Sequence, residues 1–300
     1  MKLKPVYSNR GVDIYQGDCV EVMHTLKQNK SLKLSSVVTS PPYANQRKLE
    51  YKSISPDFYP SFTSNYFEAI RPLLKIDGSI FIVIRPNISK GEIDDFVLRT
   101  RLKIREKWTE CEELIWIKPN SAPLGSIKRP RRSWESILWY GQSGAVYCDT
   151  KCDNTVSDRI GFLSSKKHQP DVKNVIGTKK GISRTKDYIS VGTQRVQNGL
   201  CHPAIFPIEL PSWLIRLSTR KGEVVLDPFM GSGSTAIACL KEKRKFVGIE
   251  LDSYYIESAI KRIESELVYS ELQLELQLEM NESAFKLTTD TVRNSTIIEF

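Results

Sequence analysis

The stretch Leu226-Asp227-Pro228-Phe229-Met230-Gly231-Ser232-Gly233-Ser234-Thr235 joins an apolar run at residues 223–226 to a helical pattern at residues 236–243. A strand, a glycine turn and a helix in this order form the context in which a glycine-rich string binds a nucleotide-type ligand. The glycines let a ligand approach the backbone, and the free N–H groups at the start of the helix attract an anion. The stretch therefore predicts a nucleoside-cofactor site.

A second apolar run, residues 246–249, supports this prediction. The run ends at Glu250, about 20 residues on, where a dinucleotide-binding βαβ unit places the acid that binds the ribose of its cofactor. Glu250 is therefore a candidate ribose ligand.

The stretch Thr39-Ser40-Pro41-Pro42-Tyr43 follows another apolar run, residues 34–38, which is typical of a short buried strand. Ligands usually bind at strand ends in an open α/β sheet. The two prolines stiffen the backbone and remove two N–H donors, so the backbone presents mainly carbonyl acceptors. The Ser40 hydroxyl and the Pro41 carbonyl make a pair of acceptors for an amine, and Tyr43 adds a ring on which a base could stack. Alone, the stretch also fits a plain turn with a core tyrosine.

Together, the two stretches resemble the motifs of the DNA amino-methyltransferases that use S-adenosylmethionine. Residues 40–43 look like the catalytic motif of that family, and residues 227–235 look like its cofactor motif. A third segment, His202-Pro203-Ala204-Ile205-Phe206-Pro207 with Glu209 and Leu210, is similar to the family segment that precedes the cofactor strand. The catalytic motif comes before the cofactor motif, which is the permuted order of the beta group. The three motifs cover most of residues 12–264.

The resemblance implies S-adenosylmethionine as the cofactor. It implies that Asp18 contacts the adenine amine and that Glu250 binds the ribose hydroxyls, although a helix-capping role fits Asp18 nearly as well. The cofactor-binding residues that it implies are Asp18, Pro207, Asp227, Pro228, Phe229, Gly231, Ser232, Gly233, Ser234 and Glu250.

The catalytic residues that the resemblance implies are Ser40, Pro41, Pro42 and Tyr43. Because the lone pair of a cytosine amine is delocalised into the ring, the site must hold the N–H groups so that the lone pair can turn toward the methyl group. We expect Ser40 and the Pro41 carbonyl to accept those hydrogen bonds, and Tyr43 to stack on a base flipped out of the duplex.

Ser40 also bears on the choice of base. In the family, Asp at this position is typical of adenine-N6 enzymes and Ser of cytosine-N4 enzymes, and residues 204–206 lack the Gln-Lys pair common in adenine enzymes. We therefore expect cytosine-N4 methylation, with adenine-N6 as the alternative. Cytosine-C5 methylation needs a covalent cysteine, usually in a Pro-Cys pair, and the sequence has none. A non-catalytic DNA-binding protein on this fold, or an RNA substrate, stays open.

Seven strands alternating with helices predict a doubly wound α/β sheet with a Rossmann-like, methyltransferase-type order. The resemblance implies that the sheet is mostly parallel with one antiparallel strand. The predicted strands lie within residues 11–17, 34–38, 79–84, 114–117, 137–140, 223–226 and 246–249, and the predicted helices within residues 20–27, 66–74, 236–243 and 254–263.

Three regions follow from these patterns. Residues 1–144 and 201–264 form the predicted catalytic and cofactor-binding domain. Residues 145–200 are poor in apolar periodicity and basic, and we interpret them as a target-recognition insert. Residues 265–300 form an acidic tail whose alternating leucines favour a strand while its Leu, Glu and Gln content favours a helix. The tail stays unassigned, with a homodimer contact as one possibility.

The chain carries a net charge of +9. Residues 264–300 hold eight acids and two bases, which leaves +15 on the rest of the chain. A basic body fits a polyanionic partner, and the resemblance specifies duplex DNA, with a restriction endonuclease as a functional companion. Arginines are the better candidates for reading bases. The predicted DNA-binding residues are Lys128, Arg129, Arg131 and Arg132 in a loop and Arg159, Arg184 and Arg195 in the insert.

Cysteine use and hydropathy indicate a cytoplasmic protein. The six cysteines are scattered, as in reduced proteins, and no long apolar segment or leader argues for a membrane or for secretion. Cys148, Cys152, Cys201 and His202 could form a zinc site, but their spacing is not a recognised one. We expect no metal.

Overall fold

The fold is that of a computed structural model, which describes residues 3–45, 54–89, 91–121, 130–153, 184–193 and 206–295. The strands are β1 (Tyr7–Asn9), β2 (Val12–Gln16), β3 (Leu34–Thr39), β4 (Leu74–Ile84), β5 (Ile88–Ser89), β6 (Glu92–Ile93), β7 (Thr109–Ile117), β8 (Trp134–Gly141), β9 (Tyr188–Ser190), β10 (Val224–Asp227) and β11 (Lys245–Glu250). The helices are α1 (Cys19–Leu26), α2 (Tyr59–Ile70), α3 (Phe96–Arg105), α4 (Glu209–Ser218), α5 (Ser234–Lys241) and α6 (Ser253–Ser295).

Nine strands form one sheet in the order β1-β2-β11-β10-β3-β4-β8-β7-β9, and β5 pairs with β6 in a separate hairpin. All seven predicted strands are present. Among those seven, β8 alone runs antiparallel to its neighbours β4 and β7, as expected. The sheet is two strands wider than predicted. Three-residue β1 and β9 lie at its two edges, and strands this short have no apolar run that could mark them in the sequence.

The sheet is doubly wound, as predicted, because its two faces pack against different helices. One core cluster joins the sheet to α1, α2 and α3, with Met23, Phe67 and Phe96 fully buried. The other joins the opposite face to α4, α5 and α6, with Leu214 and Ala259 fully buried. The mixed α/β class is confirmed.

Two helix predictions were wrong in their bounds. Helix α2 begins at Tyr59 and ends at Ile70, whereas the sequence predicted a helix over residues 66–74. A proline in the first turn starts the helix, since proline is tolerated there, and the strand β4 takes over at Leu74. Helix α6 continues to Ser295, so the tail that the sequence left unassigned is helical. The helix-forming Leu, Glu and Gln residues outweigh the alternating pattern.

The chain crosses over at the centre of the sheet. From β3 it passes through α2 to β4 on one side, while from β10 it passes through α5 to β11 on the other side. Adjacent β3 and β10 therefore flank a topological switch point, where ligands of open α/β sheets bind. Residues 39–43, which we call the catalytic stretch, begin at the end of β3. Residues 227–233, which we call the glycine turn, begin at the end of β10.

Candidate functional site

The glycine turn leaves β10 through backbone conformations that suit glycine. Gly231 has φ +52° and Gly233 has φ +79°, both in the left-handed region. The Gly233 N–H donates to the Met230 carbonyl at 3.1 Å, and α5 starts at the next residue. A Cβ atom on Gly233 would lie 3.0 Å from the Ala259 Cβ of α6. Glycine therefore meets two demands here, the turn and the close approach of α6.

Asp227 supports this turn from within. The side chain is 3% exposed and accepts hydrogen bonds from the Thr39 hydroxyl at 2.7 Å, the Thr235 hydroxyl at 2.7 Å and the Phe229 N–H at 3.1 Å. Burial raises its pKa to about 6, although these three donors act in the opposite direction. Both carboxylate oxygens are in use, so the observed role is to join the ends of β3 and β10 to α5. Direct contact with a cofactor stays a prediction.

Glu250 faces the turn from the end of β11. One of its oxygens accepts from the Gly231 N–H at 2.8 Å, and the other accepts from the N–H groups of Leu251 at 2.9 Å and Asp252 at 3.1 Å. Burial raises the pKa of Glu250, and these backbone donors act to lower it. The acid and the glycine turn that the sequence predicted as parts of one site are therefore in direct contact.

Arg262 of α6 also holds the turn, and the sequence analysis missed it. Its guanidinium donates to the Ser232 carbonyl and, at 2.8 Å, to the Ser232 hydroxyl. The Ser234 hydroxyl in turn donates to the Phe206 carbonyl at 3.0 Å, beside buried Pro207. These contacts bring the third motif segment against the glycine turn. No local sequence signal marks Arg262, because its partners lie about 30 residues away.

Asp18 begins α1 at the end of β2. One of its oxygens accepts from the N–H groups of Val20 at 2.9 Å and Glu21 at 3.2 Å, which is the helix cap that the sequence kept as an alternative. No hydrogen bond within the described residues uses the other oxygen. An open cavity of about 490 Å³ lies beside it between α1 and α2. Phe62 lines this cavity and contacts Phe229, with ring centroids 5.7 Å apart.

The catalytic stretch lies next to the turn across the switch point. Ser40 is half-buried, and its hydroxyl lies 3.4 Å from the Val83 carbonyl, a long hydrogen bond. Pro41 is buried, and Pro42 is half-buried. The half-buried Tyr43 donates its hydroxyl to Glu135 Oε2 at 2.8 Å, so its ring is held in one orientation. Burial, followed by the Glu135 charge, raises the pKa of Tyr43 well above its ordinary value.

The comparison with known families agrees with this geometry. The DNA methylase family of N6 and N4 methyltransferases matches residues 34–261, more than half of the chain. The chain belongs to this family.

One curated relative of this DNA methylase is the type II methyltransferase M.Cfr9I of Citrobacter freundii. It is 26% identical over 292 residues, which cover 85% of this chain and 89% of the relative. Among solved structures, the PvuII DNA methyltransferase (cytosine-N4-specific) has a TM-score of 0.67 at 21% identity, covering 86% of this chain and 88% of that chain. The M1.HpyAVI–SAM complex has a TM-score of 0.53 at 22% identity, covering 84% of this chain and 99% of that chain. The two structures show the shared fold, and the resemblance carried by the motifs is confirmed.

The predicted DNA-binding residues of this DNA methylase fall into three groups. Arg131 and Arg132 precede β8, at the edge of the sheet where β3 ends. Arg184 precedes β9, toward the edge where the parallel strands begin, so the structure does not bring it to the catalytic stretch. Outside the described residues lie Lys128, Arg129, Arg159 and Arg195.

Membrane and metal signals were searched over the same described part of the methylase. None of its helices there is long and apolar enough to cross a membrane. Within those residues, no group of three or more His, Cys, Asp or Glu side chains could hold a metal ion. Cys148 and Cys152 are half-buried free thiols, whereas Cys201 and His202 lie outside the described ranges.

Proposed function

We propose that this DNA methylase transfers the methyl group of S-adenosylmethionine to the N4 amine of a cytosine flipped out of duplex DNA. One observation carries the proposal: the Thr39 hydroxyl donates to Asp227 at 2.7 Å. This bond joins the residue before Ser40 to the first residue of the glycine turn. A cofactor at the turn and a base at Ser40 would therefore be neighbours, as direct transfer requires.

The described residues fit the proposed cofactor. Gly231 and Gly233 bring the backbone close to the ligand, and the start of α5 favours the negative charge of a carboxylate. Glu250 at the end of β11 would bind the ribose, and the unused Asp18 oxygen beside the cavity would accept from the adenine amine. When bound, the cofactor supplies a methyl group activated by a sulfonium charge.

The protein's part in the reaction is to orient the amine. Ser40 Oγ and the Pro41 carbonyl would accept the two N–H groups of the base, which turns the nitrogen lone pair toward the methyl group. The nitrogen–carbon bond forms as the carbon–sulfur bond breaks, and the methylated amine releases a proton to water. The fixed ring of Tyr43 would pack against the flipped base.

Cytosine is the proposed base because of Ser40 and of residues 204–206, which lack the Gln-Lys pair of the adenine enzymes. The structural relative with the TM-score of 0.67 is cytosine-N4-specific by its title. Adenine-N6 transfer is the second candidate, since the same acceptors would also hold an adenine amine.

The proposal extends to the partners of the protein and to the compartment in which it acts. The family resemblance supports pairing with a restriction endonuclease, which would act on the same DNA in the cytoplasm. The exposed apolar side chains Val268, Tyr269 and Leu272 on α6 are consistent with a homodimer contact.

The test is methyl transfer from labelled S-adenosylmethionine to mixed-sequence duplex DNA, followed by digestion to nucleosides and mass spectrometry. We expect N4-methylcytosine. N6-methyladenine would overturn the assignment of the base but keep the reaction class. No methylated nucleoside from duplex DNA, with the cofactor bound, would refute the proposal, and a labelled product on RNA would redirect it.

A further inference from the structure

Four charged side chains surround the hydroxyl of Tyr43, and together we call them the edge cluster: Arg85, Lys118, Arg132 and Glu135. Arg85 follows β4 and Lys118 follows β7, while Glu135 and Arg132 lie at the start of antiparallel β8. All four are therefore at the edge of the sheet where β3 ends and the catalytic stretch begins.

Glu135 is the centre of the edge cluster. It is 4% exposed, and its Oε2 accepts from the Tyr43 hydroxyl at 2.8 Å. Its Oε1 pairs with Lys118 Nζ and lies 3.8 Å from Arg85 Nε. Burial, opposed by Glu135, lowers the pKa of Lys118. One carboxylate thus serves a tyrosine and two cations.

The positive charge of the edge cluster is not balanced. Arg132 lies in the same place and donates to the Pro86 carbonyl at 2.6 Å, so three cations share one acid. Burial and repulsion from Arg85 lower the pKa of Arg132. The buried Arg85 Nε has no hydrogen-bond partner within the described residues. Buried donors are normally satisfied, so an acceptor from outside the protein would complete this group.

Other arginines of the protein give an internal comparison. Arg101 pairs with both Glu110 and Glu113, and Arg216 pairs with both Asp153 and Glu242. Arg101 and Arg216 thus each have two carboxylates, although Glu110 also lies 3.9 Å from Arg105. The edge cluster reverses that ratio, and it does so beside the catalytic stretch. A purely structural network would not need the two additional cations.

We propose that Arg85, Lys118 and Arg132 bind a phosphate of the target strand beside the flipped nucleotide, and that Glu135 positions Tyr43. Guanidinium groups match phosphate oxygens in geometry, and a partly buried site strengthens such bonds. The proposal rests on the proposed function and adds Arg85, Lys118 and Glu135 to the residues that serve it. It also couples phosphate binding to the tyrosine through one carboxylate.

The phosphate is tested with neutral methylphosphonate links placed one at a time along the target strand. The duplex carries the sequence around the base that the nucleoside assay finds methylated. At one position beside that base, we expect wild-type kcat/KM to fall by about tenfold or more. On unmodified DNA, kcat/KM of Arg85→Gln should be lower than that of the wild type by a similar factor. A methylphosphonate at that one position should lower kcat/KM of this variant only a little further. Additive losses at every position, or an unaffected Arg85→Gln, would overturn the phosphate site.

Two controls separate this outcome from other failures. Lys30→Gln removes an exposed cation from the loop before β3, at the opposite edge, and should leave the methylphosphonate profile unchanged. Cofactor affinity should match wild type in Arg85→Gln, because the ion pair of Arg85 is with Glu135 of the edge cluster and not with the glycine turn, and thermal unfolding checks that the variant is folded. If the wild type methylates no duplex at all, the proposed function fails first, independently of the edge cluster.

The positioning role is tested with Tyr43→Phe and Glu135→Ala. Each should lower kcat several-fold and leave the dissociation constant of S-adenosylmethionine unchanged. The double variant should lose no more than Glu135→Ala alone, because Tyr43→Phe removes only the hydrogen bond to Glu135, which Glu135→Ala removes together with the pairing to Lys118 and Arg85. Additive losses, or full activity in Tyr43→Phe, would refute positioning of Tyr43 by Glu135 even if the phosphate site holds.

Discussion

Beside the Tyr43 hydroxyl, the Ser40 hydroxyl makes a long hydrogen bond to the Val83 carbonyl, at 3.4 Å. It donates in that contact, so its lone pairs can accept from a substrate amine. Ser40→Ala should therefore lower kcat on the order of 10²-fold, the size typical of losing one oriented hydrogen-bond partner in a site. Cofactor affinity should not change. Single-turnover kinetics measures the methyl transfer, and calorimetry measures the cofactor affinity. Ser31→Ala, at the opposite edge of the sheet, is the control. Unchanged turnover would contradict the assigned role.

One hydrogen bond of Glu250 links the proposed ribose site to the glycine turn. Glu250→Ala removes the proposed ribose acceptor and also leaves the Gly231 N–H without its 2.8 Å partner. We expect the dissociation constant of S-adenosylmethionine to rise by about tenfold or more, as for the loss of a charge-assisted bond. Isothermal titration measures it. An unchanged constant would exclude Glu250 from the ribose.

Asp227 predicts a dependence of stability on pH. Burial raises its pKa to about 6, above the value of about 4 for an exposed aspartate. The folded protein therefore holds the proton more tightly, so the group stabilises the fold fully below about pH 4 and loses this contribution as the pH rises through about 6. The loss is on the order of 2–3 kcal/mol.

Asp227→Asn removes this titration. Relative to wild type, its free energy of unfolding should rise by that amount between about pH 4 and about pH 7. Urea unfolding over this range gives the difference, and Asp187→Asn, at an exposed aspartate, is the control. If the wild-type and Asp227→Asn curves run parallel, the assigned pKa of Asp227 is wrong.

The sequence could predict those residues of the candidate site that lie in a short motif. Ser40, the glycines and Glu250 were predictable because each sits in a short segment whose chemistry demands that residue type. Glu135 and Arg262 were not, because their partners lie 92 and 30 residues away. A lone acid within the apolar stretch of β8 was the available signal for Glu135.

At the scale of elements, two glycines on either side of β10 form a matched pair. Gly222 has φ +81° with no atom within 4 Å of a built Cβ, while Gly233 has φ +79° with the Ala259 Cβ at 3.0 Å. Alanine at either position meets the left-handed backbone cost of about 1–2 kcal/mol. Gly233→Ala should cost about 1–3 kcal/mol more, because α6 must shift. Chemical denaturation of both variants measures the difference, and equal losses would show that α6 does not press on the turn.

Strands were predicted where their apolar runs were long, whereas the helix α4 was missed although its buried face is apolar. The seven strands with such runs were predicted, whereas the three-residue edge strands β1 and β9 were not. The helix α3 was missed because only Phe96, Thr100 and Ile104 are buried, a narrow stripe in a polar segment. The start of α2 was predicted at residue 66 instead of Tyr59, although Pro60 lies in the first turn of the helix. Tertiary packing decides such cases.

At the scale of the whole molecule, the charged and hydrogen-bonding groups of the candidate site lie at one edge of the sheet. This edge carries the glycine turn after β10 and the acceptors of Ser40 and Pro41 after β3. It also carries the edge cluster, which comes from the ends of β4, β7 and β8. Net charge alone indicated a polyanionic partner but not where it binds. The position that we propose follows only from the topology, because the order of strands in the sheet differs from their order in the chain.

The long helix α6 predicts how the chain can be shortened. Among its described side chains, Leu267 is the last that is buried, at 9% exposed, and Val268, Tyr269 and Leu272 are each more than half exposed. Arg10 pairs with Glu271 beyond that point, but a surface ion pair contributes only about 0–1 kcal/mol. A chain truncated after Leu267 lacks Glu271 and these exposed side chains, and it should therefore keep its free energy of unfolding within about 1 kcal/mol and retain methyl transfer.

Truncation after Glu257 is the contrasting variant, since it removes fully buried Ala259 and Ile263 and should prevent stable folding. Sedimentation velocity of the full and shortened chains tests the homodimer at the same time. A dimer that becomes a monomer after truncation places its contact on the distal part of α6, whereas unchanged sedimentation rules that contact out. Loss of cofactor binding on truncation after Leu267 would show that the distal helix supports the catalytic domain, contrary to the exposure of Val268, Tyr269 and Leu272.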